Sequence, residues 1–320
     1  MNTNQQPRHE PADQIRDEVR DAYARAVTEA GTGCCGTAGG CGGAADPSAQ
    51  TGAQSDAQSD AQSDAQTGSQ TGSQTGSQKG IAARLAGYGD DALAALPSDA
   101  VANSFGCGNP LAFAGVGEGD TVVDLGSGAG IDVLLAGRLV GSGGHVIGVD
   151  MTDEMIARAR QNIAEAQMPW VEIRKGLIES LPVDDGSADH VISNCVINLS
   201  PEKERVFAEI ARVLKPGGRI SISDIVVEDL PAWARESTAL RSGCVAGAID
   251  EASYIAGLEA AGLVDIEVTD RLVYDVATMA SFIESEEATA TCLDGAMLEM
   301  LAGQLAGKVW SARFVGRMAA

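Results

Sequence analysis

Basic residues are scarce in this chain of 320 residues: 22 Lys and Arg stand against 45 Asp and Glu, for a formal net charge of −23. Such a surface repels a phosphate backbone, so no nucleic-acid partner is expected. Long apolar runs are also missing, and none approaches the roughly eighteen residues of a membrane span. The opening segment Met1-Asn2-Thr3-Asn4-Gln5-Gln6-Pro7 has neither the basic start nor the apolar centre of a secretory signal. A cytoplasmic protein with no membrane partner is the expectation. From Gly36 to Gln78 large apolar side chains are almost absent, and such a stretch buries too little surface to offset its chain entropy. Ala53-Gln54-Ser55-Asp56 recurs at Ala57–Asp60 and Ala61–Asp64, and Thr67-Gly68-Ser69-Gln70 recurs at Thr71–Gln74 and Thr75–Gln78. A four-residue period is too short for a solenoid unit, which leaves a flexible linker.

On either side of that linker the pattern is regular. Ile15, Val19, Tyr23 and Val27 recur at four-residue spacing among charges and predict a helix over Ala12–Glu29. Beyond the linker, strands are expected at Thr121–Leu125, His145–Val149, Val171–Arg174, His190–Asn194 and Arg219–Val227. Helices are expected between them at Ile131–Leu139, at Asp153–Ala166 with Asp153 as N-cap, and from Pro201 to Leu214. Lys215-Pro216-Gly217-Gly218 reads as the turn that stops the last of these. Strands alternating with helices at this spacing predict an α/β fold, a doubly wound parallel sheet covered on both faces. A helical insertion over Pro231–Ile249, a helix over Ala252–Ala261 and a late strand over Leu263–Thr269 follow. The expected organisation is residues 1–35 as a helix and Cys-Cys turn, 36–80 as linker, 81–275 as the α/β domain, and 276–320 as a small C-terminal accessory subdomain.

Asp124-Leu125-Gly126-Ser127-Gly128-Ala129-Gly130 follows the first strand and opens a helix, where glycines permit a sharp turn and close backbone approach to a ligand. Asp150 ends the second strand, twenty residues beyond Gly130, where it can accept both hydroxyls of a ribose. A glycine loop alone would suit NAD equally. Three cysteines of the folded part stand out. Cys107 lies in a loop ahead of the first strand, Cys195 ends the fourth, and Cys244 lies in the insertion after the fifth. Cysteine often simply packs, but the glycines beside Cys107 and Cys244 argue for accessible loop thiols. Seven cysteines in a reducing compartment are expected to be free, metal-binding or redox-active rather than a disulfide framework. Three thiolates and a water would satisfy zinc, although none of these cysteines shows the short spacing of structural zinc sites.

The glycine loop with its leading acid, Leu177-Ile178-Glu179-Ser180-Leu181-Pro182 and Lys215-Pro216-Gly217-Gly218 resemble, in order, the motifs of class I S-adenosylmethionine methyltransferases. Phe105-Gly106-Cys107-Gly108-Asn109-Pro110, Ser193-Asn194-Cys195-Val196-Ile197-Asn198-Leu199 and Gly243-Cys244-Val245-Ala246-Gly247-Ala248 resemble the three cysteine motifs of arsenite methyltransferases. The resemblance runs from about Ala102 to Thr269 and also takes in Val19-Arg20-Asp21-Ala22-Tyr23 and Cys34-Cys35-Gly36. It implies a Rossmann-like class I methyltransferase fold for residues 81–275, with S-adenosylmethionine as cofactor and arsenite as substrate, for arsenic detoxification. It further implies cofactor contacts from Asp124, Gly126, Ser127, Gly128, Gly130, Asp150, Met151, Ile178, Glu179 and Asn194. By the same resemblance Cys107, Cys195 and Cys244 bind trivalent arsenic. Cys34 or Cys35 completes a redox relay served by a thiol reductant such as thioredoxin or glutathione. The long linker leaves open which of Cys34, Cys35 and Cys41 is the relay thiol. Soft trivalent arsenic suits thiolates, and its lone pair can attack a sulfonium methyl without a general base. The three histidines agree: His9 is in the tail, while His145 and His190 begin strands. The competing readings are a small-molecule carbon, nitrogen or oxygen methyltransferase, and a non-enzymatic thiol protein that sequesters metalloid or zinc.

Overall fold

The computed structural model describes residues 11–29, 83–84, 86–237, 240–241, 243–285 and 295–320. Its strands are β1 (Thr121–Leu125), β2 (His145–Asp150), β3 (Val171–Lys175), β4 (Ala188–Asn194), β5 (Leu214–Val227), β6 (Leu263–Val273) and β7 (Val309–Met318). They form one seven-stranded sheet in the order β3-β2-β1-β4-β5-β7-β6. The first five are parallel, and β7 runs antiparallel between β5 and β6. The helices among the described residues are α1 (Pro11–Glu29), α2 (Asp90–Ala94), α3 (Ser98–Ala102), α4 (Ile131–Val140), α5 (Asp153–Glu165), α6 (Lys203–Val213), α7 (Ala232–Glu236), α8 (Glu251–Ala260), α9 (Val276–Ser285) and α10 (Gly295–Leu305).

Parallel strands are joined by crossover helices that cover both faces of the sheet, so the central strands β1 and β2 are buried almost throughout, while the edge strand β3 alternates Val171 and Ile173 with polar residues. Val122, Val133, Leu134, Val146 and Ile192 build the core under α4 and α5. Val123, Leu125, Val191 and Ile222 face the opposite side, with Phe207 of α6 and Tyr254 of α8. Tyr254 stacks on Phe314 of β7 at 4.3 Å between ring centroids and meets Phe207 edge-on. The expected central strands and helices therefore stand within a few residues of where the apolar periodicity put them.

Several local expectations differ. Thr152, not Asp153, takes the N-cap position of α5; Asp153 lies inside the first turn, where its charge complements the helix dipole. Helix α6 begins at Lys203, two residues beyond Pro201. Lys215-Pro216-Gly217-Gly218 is not a separate turn but lies within β5. The pairing with β4 shifts register there, and Gly217 takes φ +77, so the segment is a bulge. The insertion over Pro231–Ile249 is mostly turns among the described residues, with only the short α7 and a helical pair at Leu240–Arg241.

The larger correction concerns residues 276–320. Their apolar run at Val309–Val315 is β7, paired on both edges and buried at Val309, Ala312 and Phe314. The C-terminal segment is thus part of the main sheet rather than a subdomain apart from it. Alternation alone could not show this, because a chain's last strand can enter a sheet between two earlier ones. Met279 and Ile283 of α9 and Ala302 and Leu305 of α10 share an apolar cluster with Cys195 and Cys244.

Phe314→Ala should cost about 3–5 kcal/mol, the usual range for an aromatic deleted from a core. Urea denaturation should show a single earlier transition. Loss confined to a second, separate transition would mean that the C-terminal segment folds independently.

Candidate active site

Carboxyl ends of β1, β2 and β4 meet where the pairing places Leu125 beside Ser193 and Val149. In open α/β sheets that edge binds ligands. Beyond Leu125 the chain turns through Gly126 at φ +69, and a Cβ there would come 2.4 Å from Val196 Cγ2. Glycine is obligatory at this point on both counts. The loop is then tied down by Asp150, whose carboxylate accepts from the Gly128 N–H at 2.9 Å and the Thr152 N–H at 2.8 Å.

A cavity opens above this loop. Of the expected cofactor residues, Gly126, Ser127, Gly128, Asp150, Met151, Ile178, Glu179 and Asn194 line it. Asp124 and Gly130 do not. Asp124 is buried in β1, and Gly130 caps α4 in the left-handed conformation, closely packed on Ala159. The lining also includes residues that sequence reasoning missed, notably Arg16, Val19 and Tyr23 of α1, Ser104 and Phe105, and Asp132. Asp132 carried a signal, being an acid in the first turn after the glycine loop. For α1 the signal was the motif resemblance of Val19–Tyr23, which did not say what the helix borders because its partners are remote in sequence. Arg16 donates to Glu179 Oε1 at 3.2 Å and also pairs with Glu202, while Ser200 donates to the same Glu179 oxygen at 2.7 Å. Tyr23 meets Phe105 edge-on at 5.8 Å. Helix α1 thereby borders the cavity with one engaged guanidinium and two apolar side chains.

Electrostatics around the cavity favour a positively charged guest. Burial, then repulsion from Asp132 and Asp150, holds the Asp124 carboxyl well above the usual carboxylate range. Burial raises Asp132 to about 6, tempered by hydrogen bonds from Tyr88 and Asn194. Burial also raises Asp150, against the two backbone N–H groups that favour its ionised form. Among the described lining residues Arg16 is the one Lys or Arg, and its charge is directed at Glu179 and Glu202. Ser104 Oγ and Ser127 Oγ are buried without a hydrogen-bond partner in the protein. A carboxylate at the end of β2, unengaged hydroxyls, glycine backbone and further buried carboxylates fit a sulfonium nucleoside.

The three cysteines converge beside this cavity. Cys107 and Cys195 form a disulfide with 5.8 Å between Cα atoms, and the Cys244 thiol donates to the Cys195 carbonyl at 2.8 Å. An arrangement of three thiolates therefore requires this pair to be reduced, where the residue pattern had suggested three thiols from the outset. Cys195 lines the cavity, and Cys107 and Cys244 are not among its lining residues. Of the two thiols expected to be accessible, Cys107 is half-buried, while Cys244 is only 3% exposed. Glycine neighbours reported on backbone shape rather than exposure, and Leu199, Ile225 and Val245 pack around the sulfurs. Cys195 and Cys244 both hold left-handed backbone, at φ +57 and +64. That conformation is uncommon for residues with a Cβ and concentrates at functional sites.

Asp224, in the carboxyl-terminal part of β5, was not singled out by any motif. One of its carboxylate oxygens and the sulfurs of Cys107 and Cys195 lie within 4.8 Å of one another. Burial raises its pKa to about 6, although the Ile225 and Asn198 N–H groups, the Asn198 amide and the Tyr254 hydroxyl all donate to it. Cys34, Cys35 and Cys41 lie outside the described residues.

A sheet of this strand order, with a glycine loop at the end of β1, defines the class I methyltransferase fold. A model of the methyltransferase domain family matches residues 117–284. An arsenite methyltransferase of Halobacterium salinarum is 49% identical over 186 residues, which cover 58% of this chain and 47% of that protein. One of Aquipseudomonas alcaligenes is 41% identical over 156 residues, covering 46% and 44%. The chain spans about half the length of the curated relatives it matches. A solved arsenic(III) S-adenosylmethionine methyltransferase of Chlamydomonas reinhardtii is 32% identical, with a TM-score of 0.57 over 72% of each chain. The chain belongs to the methyltransferase domain family and, within it, to the arsenite methyltransferase family.

The raised Asp132 makes a pH-dependent contribution with a definite sign. Its folded pKa of about 6 exceeds the ordinary carboxylate value of 3.8, so the folded state binds the proton more tightly. That contribution is fully present below about pH 4 and is lost as pH rises through about 6. Chemical denaturation should therefore show wild type losing stability relative to Asp132→Asn across this window. A difference that stays flat from pH 4 to 6.5 would contradict the assignment.

Proposed function

We propose that this chain transfers a methyl group from S-adenosylmethionine to trivalent arsenic bound by Cys107, Cys195 and Cys244. The observation that carries the reading is the convergence of these three cysteines, from segments far apart in sequence, at the edge of a cavity suited to a cationic nucleoside. The names of the relatives support the same substrate. When bound, the cofactor supplies an electrophilic methyl group on a sulfonium.

The chain's own residues do the rest. Asp150 accepts the ribose hydroxyls, Met151 and Ile178 flank the adenine, and the backbone of Gly126, Ser127 and Gly128 receives the amino-acid end. Glu179, already tied to Arg16 and Ser200, closes the adenine side. Asp132, which lines the cavity, balances the ligand's positive charge. Asn194 borders the same space. Arsenite exchanges three oxygen ligands for three thiolates, which suit a soft acceptor. The arsenic lone pair is the nucleophile, so positioning supplies most of the rate enhancement and no side chain need take up a proton during transfer. Before arsenite can bind, two electrons and two protons must open the Cys107–Cys195 disulfide. A thiol reductant such as thioredoxin or glutathione is the source, with Cys34 or Cys35 as relay. Detoxification of arsenic is the role that follows.

Reduced protein given arsenite and methyl-labelled cofactor should yield labelled methylarsenic. Ser in place of Cys107, Cys195 or Cys244 should each abolish the product, and the Cys107 and Cys244 variants should leave cofactor affinity largely intact, since neither residue lines the cavity. Omitting the reductant should stop turnover. Near wild-type methylation by any one variant would remove that cysteine from the site, and arsenite binding without transfer would leave a sequestering protein.

A further inference from the structure

Asn194, the last residue of β4, does more than border the cavity. Its Oδ1 accepts from the N–H groups of Cys107 at 3.0 Å and Gly108 at 3.2 Å. Its Nδ2 donates to the Gly108 carbonyl at 2.7 Å, the Tyr88 hydroxyl at 2.9 Å and Asp132 Oδ2 at 3.2 Å. The Tyr88 hydroxyl donates in turn to Asp132 Oδ1 at 2.7 Å, and both residues are buried. The amide thus imitates a neighbouring strand, engaging both polar groups of Gly108.

The loop lies flush on that amide. A Cβ on Gly106 would come 2.2 Å from Asn194 Nδ2, and one on Gly108 would come 2.6 Å from Ser223 Cβ. Asn194 also precedes Cys195, whose N–H donates to the Ser223 carbonyl at 2.8 Å. One side chain therefore fixes the Cys107 backbone by hydrogen bonds while its own backbone leads directly into Cys195. Its other neighbour, Asp132, lines the cofactor cavity.

The geometry points to Asn194 as a positioning residue that couples occupancy of the cofactor cavity to the arrangement of Cys107 and Cys195. The coupling rests on the reading of the cavity as a cofactor site and the cysteines as an arsenite site. A cationic group drawn to the Asp132 carboxylate holds the acceptor that orients both the Tyr88 hydroxyl and Asn194 Nδ2. With Nδ2 held, Oδ1 stays aimed at the Cys107 and Gly108 N–H groups, and the Cys107 sulfur keeps its place beside Cys195. With the cavity empty, Asp132 lies beside other buried carboxylates and lacks that partner. Because such coupling is reciprocal, arsenite must tighten cofactor binding by the same factor.

The test uses the full reduced chain and equilibrium dialysis of sodium arsenite, with and without saturating S-adenosylhomocysteine, which carries the ammonium but no transferable methyl. Wild type should bind arsenite about fivefold tighter, or more, in its presence. Tyr88→Phe keeps the Asn194 contacts to the loop but removes the bridging hydroxyl, and its factor should fall below about twofold. Asn194→Asp loses both amide donors and should show no factor; should it fail to fold, Tyr88→Phe still decides. A merely structural role would weaken arsenite binding equally with and without S-adenosylhomocysteine and leave the factor unchanged, which would overturn the proposal. Wild type that binds both ligands independently would also overturn it while leaving the proposed function intact. Reduced wild type that binds no arsenite at all would sink both.

Discussion

The parallel register between β1 and β4 is the constraint on which the chemistry of this chain depends. By setting Leu125 beside Ser193, it makes the glycine loop and the Asn194-Cys195 turn emerge at one edge of the sheet. The close approach is visible at Gly126, where any side chain would collide with Val196. A shift of this pairing would separate the cavity from the cysteine that lines it. The interior on both faces of the sheet, from Val122 and Ile192 to Leu125 and Phe314, holds that register in place. Packing far from the site therefore determines the distance between cofactor cavity and thiols.

Two features of the site carry a cost in the folded protein and make sense as preparation for ligands. Buried carboxylates at Asp124, Asp132 and Asp150 raise one another's pKa values or are raised by burial, and this disfavours the ionised empty site. A cationic guest turns that repulsion into attraction. Left-handed backbone at Cys195 and Cys244 likewise costs on the order of 1–3 kcal/mol at each residue. In return the two sulfur-bearing segments meet, and the Cys244 thiol reaches the Cys195 carbonyl. The disulfide between Cys107 and Cys195 makes the same site sensitive to reduction.

Much of this was legible in the residues, and the failures have physical causes. Strands β1, β2 and β4 were read from their apolar runs because both faces of a parallel sheet are covered, and the edge strand β3 from Val171 and Ile173 alternating with polar residues. β7 gave an equally clear run, but its place between β5 and β6 depends on contacts that no local pattern encodes. The period of Ile15, Val19, Tyr23 and Val27 predicted α1, yet its position at the cavity depends on Arg16 reaching Glu179 across 163 positions. The cysteine motifs foretold convergence at the cavity. They did not foretell burial, which comes from α9, α10 and the segment around Val245. Asp224 and Tyr88 lay in no motif and became visible only through their hydrogen bonds.

The central claim is that three cysteine sulfurs together hold the arsenic beside the cofactor cavity. X-ray absorption at the arsenic edge, on reduced full-length protein loaded with one equivalent of arsenite, tests it most directly. The account predicts a first shell of three sulfur atoms with no oxygen, and a sulfur fewer when Cys244 is replaced by Ser. A shell that retains oxygen in the wild-type protein, or one unchanged in that variant, would contradict it.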